Sequence, residues 1–381
     1  MRVLTVTNCP ALQYLGSGYI IDGFVNGLRS LGHDVDLVQP DEYEICQWMR
    51  PRAMSYRQAV GMFIATRRAL GAKQYDLVEF WGGEAWLTIW WLFSCAGIRP
   101  LVVQHSNGPE PRYSQMLEAA GILRLTFVQR MHAQKFVPKA FQLPDAVVTI
   151  SQYDLEWLEQ MQLPRGGRRL AIEVPLSERF LDRPAKVRES RVIGFCGTWL
   201  PRKGLGVIVP DIARLLRDFG DWRFLVLGTG ENDRVHSSFP EDLRARIEVV
   251  PMIADKEALA RQYERMEIFV FPSVSESFGI ALAEAMACAC APVSTRVGFA
   301  ATLESGRNAI LIDESASPQL YEAVKYLILN PETRKQIASA AHERVQQLRW
   351  NLAVRTLSES YQAWLAEHRD AGSGRLGSKR R

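Results

Sequence analysis

The sequence offers little cysteine chemistry, no long apolar run and no clear metal motif. Its six cysteines form no C-x-x-C pair, which suits a reducing compartment and provides no metal site. The longest apolar run, residues 86–98, is shorter than the roughly 20 residues that span a bilayer, so we predict a buried helix there. Because the chain starts directly with a strand pattern at residues 2–7, we expect no signal peptide and a cytoplasmic location.

The positive net charge is confined to one end of the chain. Residues 369–381 contain five basic residues and one aspartate and so supply all of the formal charge of +4, which leaves residues 1–368 neutral overall. This balance argues against nucleic acid as a partner. The tail is rich in Gly, Ser and Arg and is predicted to be disordered. The chain length and the hydrophobic content of 47% suit a soluble globular protein of two domains.

Residues 272–298 carry the strongest functional pattern, because Glu276 and Glu284 stand eight positions apart in them. Glu276 follows an apolar run at residues 268–271 that predicts a buried strand. The small and helix-forming residues 278–289 predict a helix that contains Glu284. At about 1.5 Å per residue, eight helical steps separate the two carboxylates by roughly 12 Å.

The start of this predicted helix is suited to an anion. The amides of Ser277, Phe278 and Gly279 are predicted to point toward an anion there, and the positive end of the helix dipole adds to their attraction for a phosphate. An acid, an anion site and a second acid along one line suit an elongated ligand with a diphosphate in its middle. The alternative is a surface helix with two solvated glutamates.

Two further loops have the composition of phosphate-binding loops. In the second half, Arg202 and Lys203 precede a predicted helix, and such cations neutralise the charge of a leaving nucleoside diphosphate. The alternative is a solvated basic turn. Near the N-terminus, Gly16, Ser17 and Gly18 are predicted to form a strand-to-helix loop that lets the backbone approach a phosphate closely, although any tight turn of this kind uses glycine.

His105 stands at the carboxyl end of a strand predicted at residues 101–103. Ligands bind at this edge of a doubly wound sheet, so His105 is a candidate ligand contact. The alternative is a loop histidine that only forms local hydrogen bonds.

Two segments of the first half contain basic residues and no acidic ones. They are residues 45–75, with six Arg or Lys, and the residues between Glu118 and Asp145, with four. In the second segment basic and apolar residues are interleaved, which predicts an amphipathic element. It either packs as a helix with one apolar face or presents a surface to anionic lipid or to a phosphate-bearing acceptor.

The order of these motifs resembles that of the retaining family-4 glycosyltransferases, the glycosyl transferases group 1, which have the GT-B fold. Glu276 and Glu284 match the E-x7-E signature of that family. Lys203 matches its diphosphate-binding lysine, and residues 228–230 match its G-x-G turn.

The sequence also departs from the family pattern. Thr198 stands where the family has a diphosphate-binding arginine, and whether Arg202 replaces that arginine stays open. The first glycine loop is Gly-Ser-Gly at residues 16–18 instead of Gly-Gly, and Leu176-Ser177 replaces the usual Asn-Gly.

The resemblance implies an α/β protein with two Rossmann-like, doubly wound domains that face each other across a cleft. The predicted parts are an N-terminal acceptor domain at residues 1–180, a polar linker at 181–190, a C-terminal nucleotide-sugar donor domain at 191–349, a helix at 350–368 that crosses back to the first domain, and the disordered tail at 369–381.

For function, the resemblance implies transfer of a sugar from a nucleoside diphosphate sugar to a glycan, lipid-linked or small-molecule acceptor, with retention of the anomeric configuration. His105 and Glu276 contact the sugar in this interpretation, and Glu284 binds the ribose. The predicted catalytic residues are His105, Glu276 and Lys203, and the predicted donor-binding residues are Gly16, Ser17, Gly18, Arg202, Lys203, Gly228, Met252, Ser277, Phe278, Gly279, Ile280 and Glu284.

No cofactor and no required metal is expected, because basic side chains and a helix start can carry the phosphate charge. The Asp-x-Asp at residues 34–36 lies at a strand start and is interpreted as solvated. The alternatives are another GT-B activity, such as a nucleotide-sugar epimerase or an inverting transferase, and a catalytically silent nucleotide-sugar-binding protein. The basic segments suggest peripheral contact with an anionic membrane on its inner face.

Overall fold

The computed structural model describes residues 1–12, 16–49, 53–95, 99–185, 189–230, 232–313 and 318–378. Parts of several predicted features lie outside these residues: Arg50 and Arg52 of the first basic segment, residues 96–98 of the apolar run, residues 186–188 of the linker and residues 379–381 of the tail. The chain divides into two compact units. Unit 1 contains Met1–Gln115, Arg124–Val174 and the chain from Trp350 onward, and unit 2 contains Met116–Leu123 and Pro175–Arg349.

The strands of unit 1 form a parallel sheet with a buried centre. Within the described residues it has six strands in the order β2-β1-β3-β4-β5-β6. They are β1 (Arg2–Thr7), β2 (Asp34–Val38), β3 (Leu77–Trp81), β4 (Leu101–Ser106), β5 (Ala146–Thr149) and β6 (Arg168–Ala171). Every residue of β3 and β4 is buried, which is typical of central strands in parallel sheets.

Helices connect these strands. They are α1 (Gly16–Ser30), α2 (Pro40–Tyr43), α3 (Met54–Ala72), α4 (Trp86–Ser94), α5 (Glu110–Ala119), α6 (Phe127–Met131), α7 (Val137–Gln142) and α8 (Gln152–Gln160). A π-helical segment at His132–Phe136 joins α6 to α7. Phe80, Ile89 and Phe141 belong to the core in which α4 and α7 pack against the sheet.

The sheet of unit 2 is also parallel, and its strand order is that of a Rossmann fold. In the described part of the chain the order is β12-β11-β10-β7-β8-β9. The strands are β7 (Val192–Cys196), β8 (Arg223–Leu227), β9 (Ile247–Val250), β10 (Ile268–Phe271), β11 (Ala291–Thr295) and β12 (Ile310–Ile312).

The helices of unit 2 are α9 (Glu178–Leu181), α10 (Leu205–Asp218), α11 (Asn232–Ser237), α12 (Lys256–Tyr263), α13 (Ile280–Ala287), α14 (Gln319–Leu329) and α15 (Pro331–Val345). The chain then returns to unit 1 as α16 (Trp350–Ser378). The buried face of α10, with Ile208, Ile212 and Leu216, packs on the sheet of unit 2. The two parallel sheets confirm the predicted α/β class and the doubly wound halves.

Each sheet has a point at which the strand order reverses, and ligands of doubly wound proteins bind at the carboxyl ends of the strands beside that point. In unit 1 the reversal lies between β1 and β3, and in unit 2 it lies between β7 and β10. The loops that follow these four strands are therefore the positions at which functional residues are expected.

The first glycine segment differs from its prediction as a loop. Gly16–Ser17–Gly18 form the first turn of α1. Gly18 is buried against the preceding chain, because a Cβ atom there would lie 2.6 Å from the carbonyl oxygen of Pro10. The glycine at residue 18 therefore permits close packing of the chain against α1.

The predicted domain boundary at residue 180 and the predicted disordered tail also differ from the structure. The boundary between the units falls after Val174, not at residue 180, because Phe180 is buried in unit 2 with its ring 6.1 Å from that of Tyr263. The predicted disordered tail is helical as far as Ser378. Extending an existing helix avoids the cost of nucleating one, and Arg369 is held by an ion pair of 2.9 Å with Asp76.

Within the described residues, no helix combines the length and the apolarity needed to cross a bilayer. The apolar run that predicted a buried helix forms α4, in which Ile89 and Leu92 are buried and Trp90 is exposed.

Candidate functional site

Two loops of unit 2 meet beside the reversal point of its sheet. One loop follows β7 and leads to Lys203, and the other follows β10 and leads to Glu276. The backbone N–H of Val274 donates to the carbonyl oxygen of Arg202 at 2.9 Å, which fixes one loop against the other. The fold therefore brings together the basic turn and the first glutamate, which are more than 70 residues apart in the sequence.

Glu276 lies between two cations. Its Oε1 accepts a hydrogen bond from Lys203 Nζ at 2.5 Å and lies 3.5 Å from Arg202 Nη1. Lys203 Nζ also lies 5.3 Å from the centroid of the Phe271 ring. The side chains of Glu276 and Lys203 are mostly buried, whereas that of Arg202 is exposed. Because two cations surround one carboxylate, the group has a net positive charge that attracts an anion.

Glu284 has a second lysine as its partner. Its carboxylate accepts from Lys256 Nζ at 2.8 Å and from Tyr263 Oη at 3.0 Å, and only 5% of the residue is exposed. Burial, followed by the charges of Cys196 and Glu284, raises the pKa of Tyr263, so its hydroxyl stays protonated and donates. Lys256 and Tyr263 were not identified from the sequence, in which nothing distinguishes them from other residues of α12.

The predicted anion site lies at the start of a helix, although the helix starts later than expected. α13 begins at Ile280 after Gly279, so the estimate of roughly 12 Å between the glutamates, which assumed continuous helix, does not apply. Phe278 is buried, and its carbonyl oxygen accepts from the N–H of Phe299 at 2.8 Å. Ser277 is buried and Ile280 is half-buried.

The other predicted donor residues of unit 2 lie after β8 and β9. The N–H of Gly228 donates to the carbonyl oxygen of Val250 at 3.0 Å, so the turn after β8 is tied to the end of β9. Met252 follows β9 and is 64% exposed. Its exposure leaves the side chain accessible to a ligand, as the predicted contact with a base requires.

The first turn of α1 in unit 1 contains the other three predicted residues. Gly16 and Ser17 are exposed there, and Gly18 is buried. Although these residues begin a helix and not a loop, their backbone N–H groups still lie after β1, at the carboxyl edge of the sheet.

The structure does not support the prediction that His105 contacts a ligand. β4 continues to Ser106, so His105 lies inside the strand, and only 1% of the residue is exposed. Its ring stacks on Trp81 at 4.0 Å, and its Nε2 lies 2.5 Å from Tyr361 Oη and 3.2 Å from a carboxylate oxygen of Glu79. The imidazole is therefore part of the core of unit 1.

The partners of His105 form a closed buried network. Burial acts to raise the pKa of Glu79. The hydrogen bond and charge of His105, together with the hydroxyls of Thr5 and Tyr361, lower it by a larger amount, so the net shift is downward. Thr5 Oγ1 donates to Glu79 at 2.6 Å, and the hydroxyl of Tyr361 also donates to Glu79. This network connects β1, β3 and β4 with α16.

A second group of polar residues lies beside the reversal point of unit 1, and we call Asn8, Glu84, Glu110 and His132 the unit 1 polar cluster. Asn8 follows β1, Glu84 follows β3, Glu110 starts α5, and His132 starts the π-helical segment. This cluster was not predicted from the sequence. The signal was the glycine pair before Glu84, directly after an apolar strand pattern.

Glu110 has the most perturbed carboxyl group of this cluster. Burial, followed by the negative charge of Glu84, raises the pKa of Glu110 to about 7, although the N–H of Gly83 donates to its Oε1 at 2.8 Å. Burial lowers the pKa of His132. Among the described residues there is no group of three or more His, Cys, Asp or Glu side chains arranged to hold a metal ion.

Comparisons with known proteins show what this chain is similar to in sequence and in fold. Residues 190–330 match the family model described as glycosyl transferases group 1. A D-inositol 3-phosphate glycosyltransferase of Paenarthrobacter aurescens (strain TC1) is 27% identical over 385 residues, which covers 97% of this chain and 88% of the relative.

Two solved structures share the fold along nearly the whole chain. Sucrose-phosphate synthase of Thermosynechococcus elongatus superposes with a TM-score of 0.77 at 18% identity, covering 96% of this chain and 100% of the other. The Anabaena protein HepE, solved in complex with UDP and glucose, superposes with a TM-score of 0.66 at 17% identity, covering 94% and 99%.

Proposed function

Because the chain belongs to the glycosyl transferases group 1 family and has the GT-B fold, we propose that it moves a sugar from a nucleoside diphosphate sugar to an acceptor hydroxyl with retention of the anomeric configuration. The observation that carries the proposal is the pair of cations on Glu276, at the reversal point of the unit 2 sheet.

Lys203 and Arg202 are the proposed diphosphate ligands. When a nucleoside diphosphate sugar binds, its phosphate oxygens compete with Glu276 for these cations and take charge-assisted hydrogen bonds from them. Glu276, released in part from Lys203, accepts from hydroxyls of the sugar. In this proposal, Arg202 replaces the diphosphate-binding arginine of the family, whose position is occupied by Thr198 in this chain.

Glu284 is the proposed ribose contact. Lys256 and Tyr263 fix the orientation of its carboxylate, so the carboxylate is already positioned to accept a hydrogen bond from a ribose hydroxyl. The backbone N–H groups at the start of α13 and the positive end of that helix add to the attraction for the diphosphate.

In the proposed reaction the bond from the anomeric carbon to the phosphate oxygen breaks, and its electron pair leaves with the nucleoside diphosphate. The acceptor oxygen bonds to the anomeric carbon on the same face, and its proton passes to the departing diphosphate. We assign no protein nucleophile. Lys203 and Arg202 carry the charge that develops on the leaving group, so we propose that no metal is required.

A transfer assay with a panel of candidate acceptors tests the reaction. Acceptor-dependent release of the nucleoside diphosphate is expected, at the same rate with a chelator present, and the coupling constant of the anomeric proton in the product should match that of the donor. The opposite anomer would indicate an inverting enzyme. Conversion of the donor sugar without any acceptor would indicate an epimerase, and nucleotide binding without turnover would indicate a silent binding protein.

We further propose that unit 1 contacts an anionic membrane surface through α6 and the residues before it. Phe127 is 77% exposed, and Val128 and Met131 are also exposed. Arg124 and Arg130 are exposed in the same acid-free segment. Exposed apolar side chains among basic ones are the pattern of an interfacial segment, and anionic headgroups complement its charge.

Flotation with vesicles tests the membrane proposal. The protein should float with vesicles that contain phosphatidylglycerol and stay behind with pure phosphatidylcholine, and Phe127→Glu should reduce flotation. Equal failure to bind either vesicle would refute the proposal.

A further inference from the structure

The unit 1 polar cluster is held in place by neutral donors. Asn8 Nδ2 donates to Glu84 Oε2 at 2.8 Å, and the N–H of Gly83 donates to Glu110 Oε1 at 2.8 Å. A Cβ atom on Gly83 would lie 2.9 Å from the other oxygen of Glu110, so glycine at this position lets the carboxylate approach the chain after β3. The two carboxylates are thus positioned by an amide side chain from the connection after β1 and a backbone N–H from the connection after β3.

The cluster still contains polar atoms without a hydrogen-bond partner. Oε2 of Glu110 is inaccessible and accepts no hydrogen bond. His132 is more than nine-tenths buried, and its Nε2 also has no hydrogen-bond partner, although the ring packs on Tyr56 at 4.8 Å. Glu84 is close enough to His132 for its charge to oppose the downward pKa shift that burial causes. Buried polar atoms that lack partners are costly, so a ligand that supplies hydroxyl groups is favoured there.

The surroundings of these carboxylates are negative. Asp154 lies near Glu110 and contributes a further upward influence on its pKa. Arg112, two residues after Glu110 on α5, donates hydrogen bonds to Asp154 at 3.1 Å and to the carbonyl oxygen of Tyr153 at 2.6 Å. A phosphate placed beside Glu84 and Glu110 would meet two acidic groups without a free cation from Arg112, which disfavours an anionic ligand.

We propose that the unit 1 polar cluster binds the acceptor through uncharged hydroxyl groups, so that the part of the acceptor that enters unit 1 is a neutral polyol such as a sugar or a cyclitol. Glu84 and Glu110 accept hydrogen bonds from vicinal hydroxyls, and Asn8 and His132 complete the contacts. The assignment of this ligand as acceptor rests on the proposed glycosyl transfer, whereas its chemistry rests on the cluster itself.

The experiment compares matched neutral and phosphorylated probes by ligand-observed NMR titration. The probes are glucose, mannose and myo-inositol, with glucose 6-phosphate and mannose 6-phosphate as the anionic counterparts. Wild type, Glu84→Gln and Glu110→Gln are titrated with and without saturating nucleoside diphosphate. Glu156→Gln, which changes an exposed glutamate on α8, is the matched control.

The expected result has two parts. In wild type, at least one neutral polyol binds, and its phosphate binds at least about tenfold more weakly, because like charges placed together cost several kcal/mol. Each cluster variant loses about tenfold or more in affinity for the neutral polyol, since hydrogen bonds to charged groups contribute about 1.5–3 kcal/mol. Glu156→Gln binds as wild type does, and all variants keep their nucleotide-induced stabilisation.

Three results would overturn the inference: tighter binding of the phosphorylated probes, equal polyol binding by wild type and the cluster variants, or no binding of any neutral polyol. If these occur while nucleotide still binds, glycosyl transfer stands and only the polyol site fails. If a polyol binds at the cluster but no nucleotide binds to unit 2, the assignment of the polyol as acceptor fails together with the proposed function. The wild-type comparison of probes remains decisive even where a variant does not fold.

Discussion

The carboxyl edges of the two sheets carry buried or half-buried glutamates whose hydrogen-bond partners differ in charge. In unit 2, Glu276 and Glu284 each accept a hydrogen bond from a lysine. In unit 1, the described donors to Glu84 and Glu110 are neutral: the amide side chain of Asn8 for Glu84, and the backbone N–H groups of Gly83 and of Glu110 itself for Glu110. The same architecture thus presents carboxylates paired with cations in one unit and carboxylates held by neutral donors in the other.

This difference indicates how one fold can separate two kinds of ligand. Lysines that neutralise carboxylates can be taken over by a diphosphate, which brings its own negative charge. Carboxylates without a cation repel phosphate and suit hydroxyl groups. The pairing of glutamates with lysines, rather than the number of glutamates, therefore predicts which sheet edge binds the nucleotide.

The largest effect is expected from Lys203→Met. The substitution removes a diphosphate ligand and leaves Glu276 with less positive charge around it, so kcat/KM should fall by about 100- to 1000-fold, in line with the loss of one donor to a developing anion. Steady-state kinetics measure it. Lys335→Met, on a lysine that pairs with Glu332 on α15, should stay within about twofold of wild type. Comparable rates in the two variants would remove Lys203 from the donor site.

A second test separates the ribose from the phosphates. Glu284→Gln should weaken nucleoside diphosphate binding about 10- to 100-fold, because hydrogen bonds to charged groups contribute about 1.5–3 kcal/mol. Wild type should prefer the nucleotide over its 2′,3′-dideoxy form, and the variant should show no preference in calorimetry. Glu322→Gln on α14 is the exposed control. A preference that survives in Glu284→Gln would assign the ribose to another residue.

The sequence predicted much of unit 2, because there the candidate site residues lie in loops directly after apolar strands. Glu276 and Lys203 could be placed in loops from strand patterns and spacing alone, whereas α13 starts at Ile280, two residues later than predicted. Lys256 could not, because its pairing with Glu284 depends on how α12 packs beside α13, and a lone lysine at a helix start carries no signal for that.

Unit 1 was predicted less well for identifiable reasons. His105 was placed after a strand, but β4 is longer than its apolar pattern, and Gln104 and His105 continue it as buried polar residues. The partners that make this burial possible, Glu79 and Tyr361, are distant in the sequence and give no local signal. The unit 1 polar cluster was not predicted because its members come from three separate connections of the sheet, those that follow β1, β3 and β4.

A third prediction concerns this buried histidine. His105→Gln should lower the free energy of unfolding by about 1–3 kcal/mol, because Glu79 and Tyr361 lose a buried partner. Tyr361→Phe should cost a similar amount, and the double variant should cost less than the sum of the two. Chemical denaturation measures these changes. A large loss of kcat with unchanged stability would instead return His105 to the role predicted from the family resemblance.

The last prediction concerns a single ionisable group, through the pH dependence of stability at Glu110. Its ordinary pKa is 4.5, and the folded state raises it to about 7, chiefly through burial and then through Glu84. Between these values the folded state binds more protons than the unfolded state, so this group lowers the free energy of unfolding as pH rises through that range. Glu110→Gln should therefore gain stability relative to wild type from pH 5 to pH 7.

Denaturant titrations at several pH values measure that difference. Glu156→Gln, exposed on α8, should follow wild type throughout. A constant difference between Glu110→Gln and wild type across the range would show that the carboxyl group is not shifted and would weaken the contrast between the two edges.

The most direct test of the central claim, that unit 2 binds a nucleoside diphosphate at its lysine-paired glutamates, is thermal stabilisation by a panel of UDP, GDP, ADP and dTDP sugars. Binding at 100 times the dissociation constant should add about 2.7 kcal/mol to the free energy of unfolding. We predict a shift with one nucleotide class that is lost in Glu284→Ala. The absence of a shift with every nucleotide, or an equal shift in Glu284→Ala, would contradict the claim.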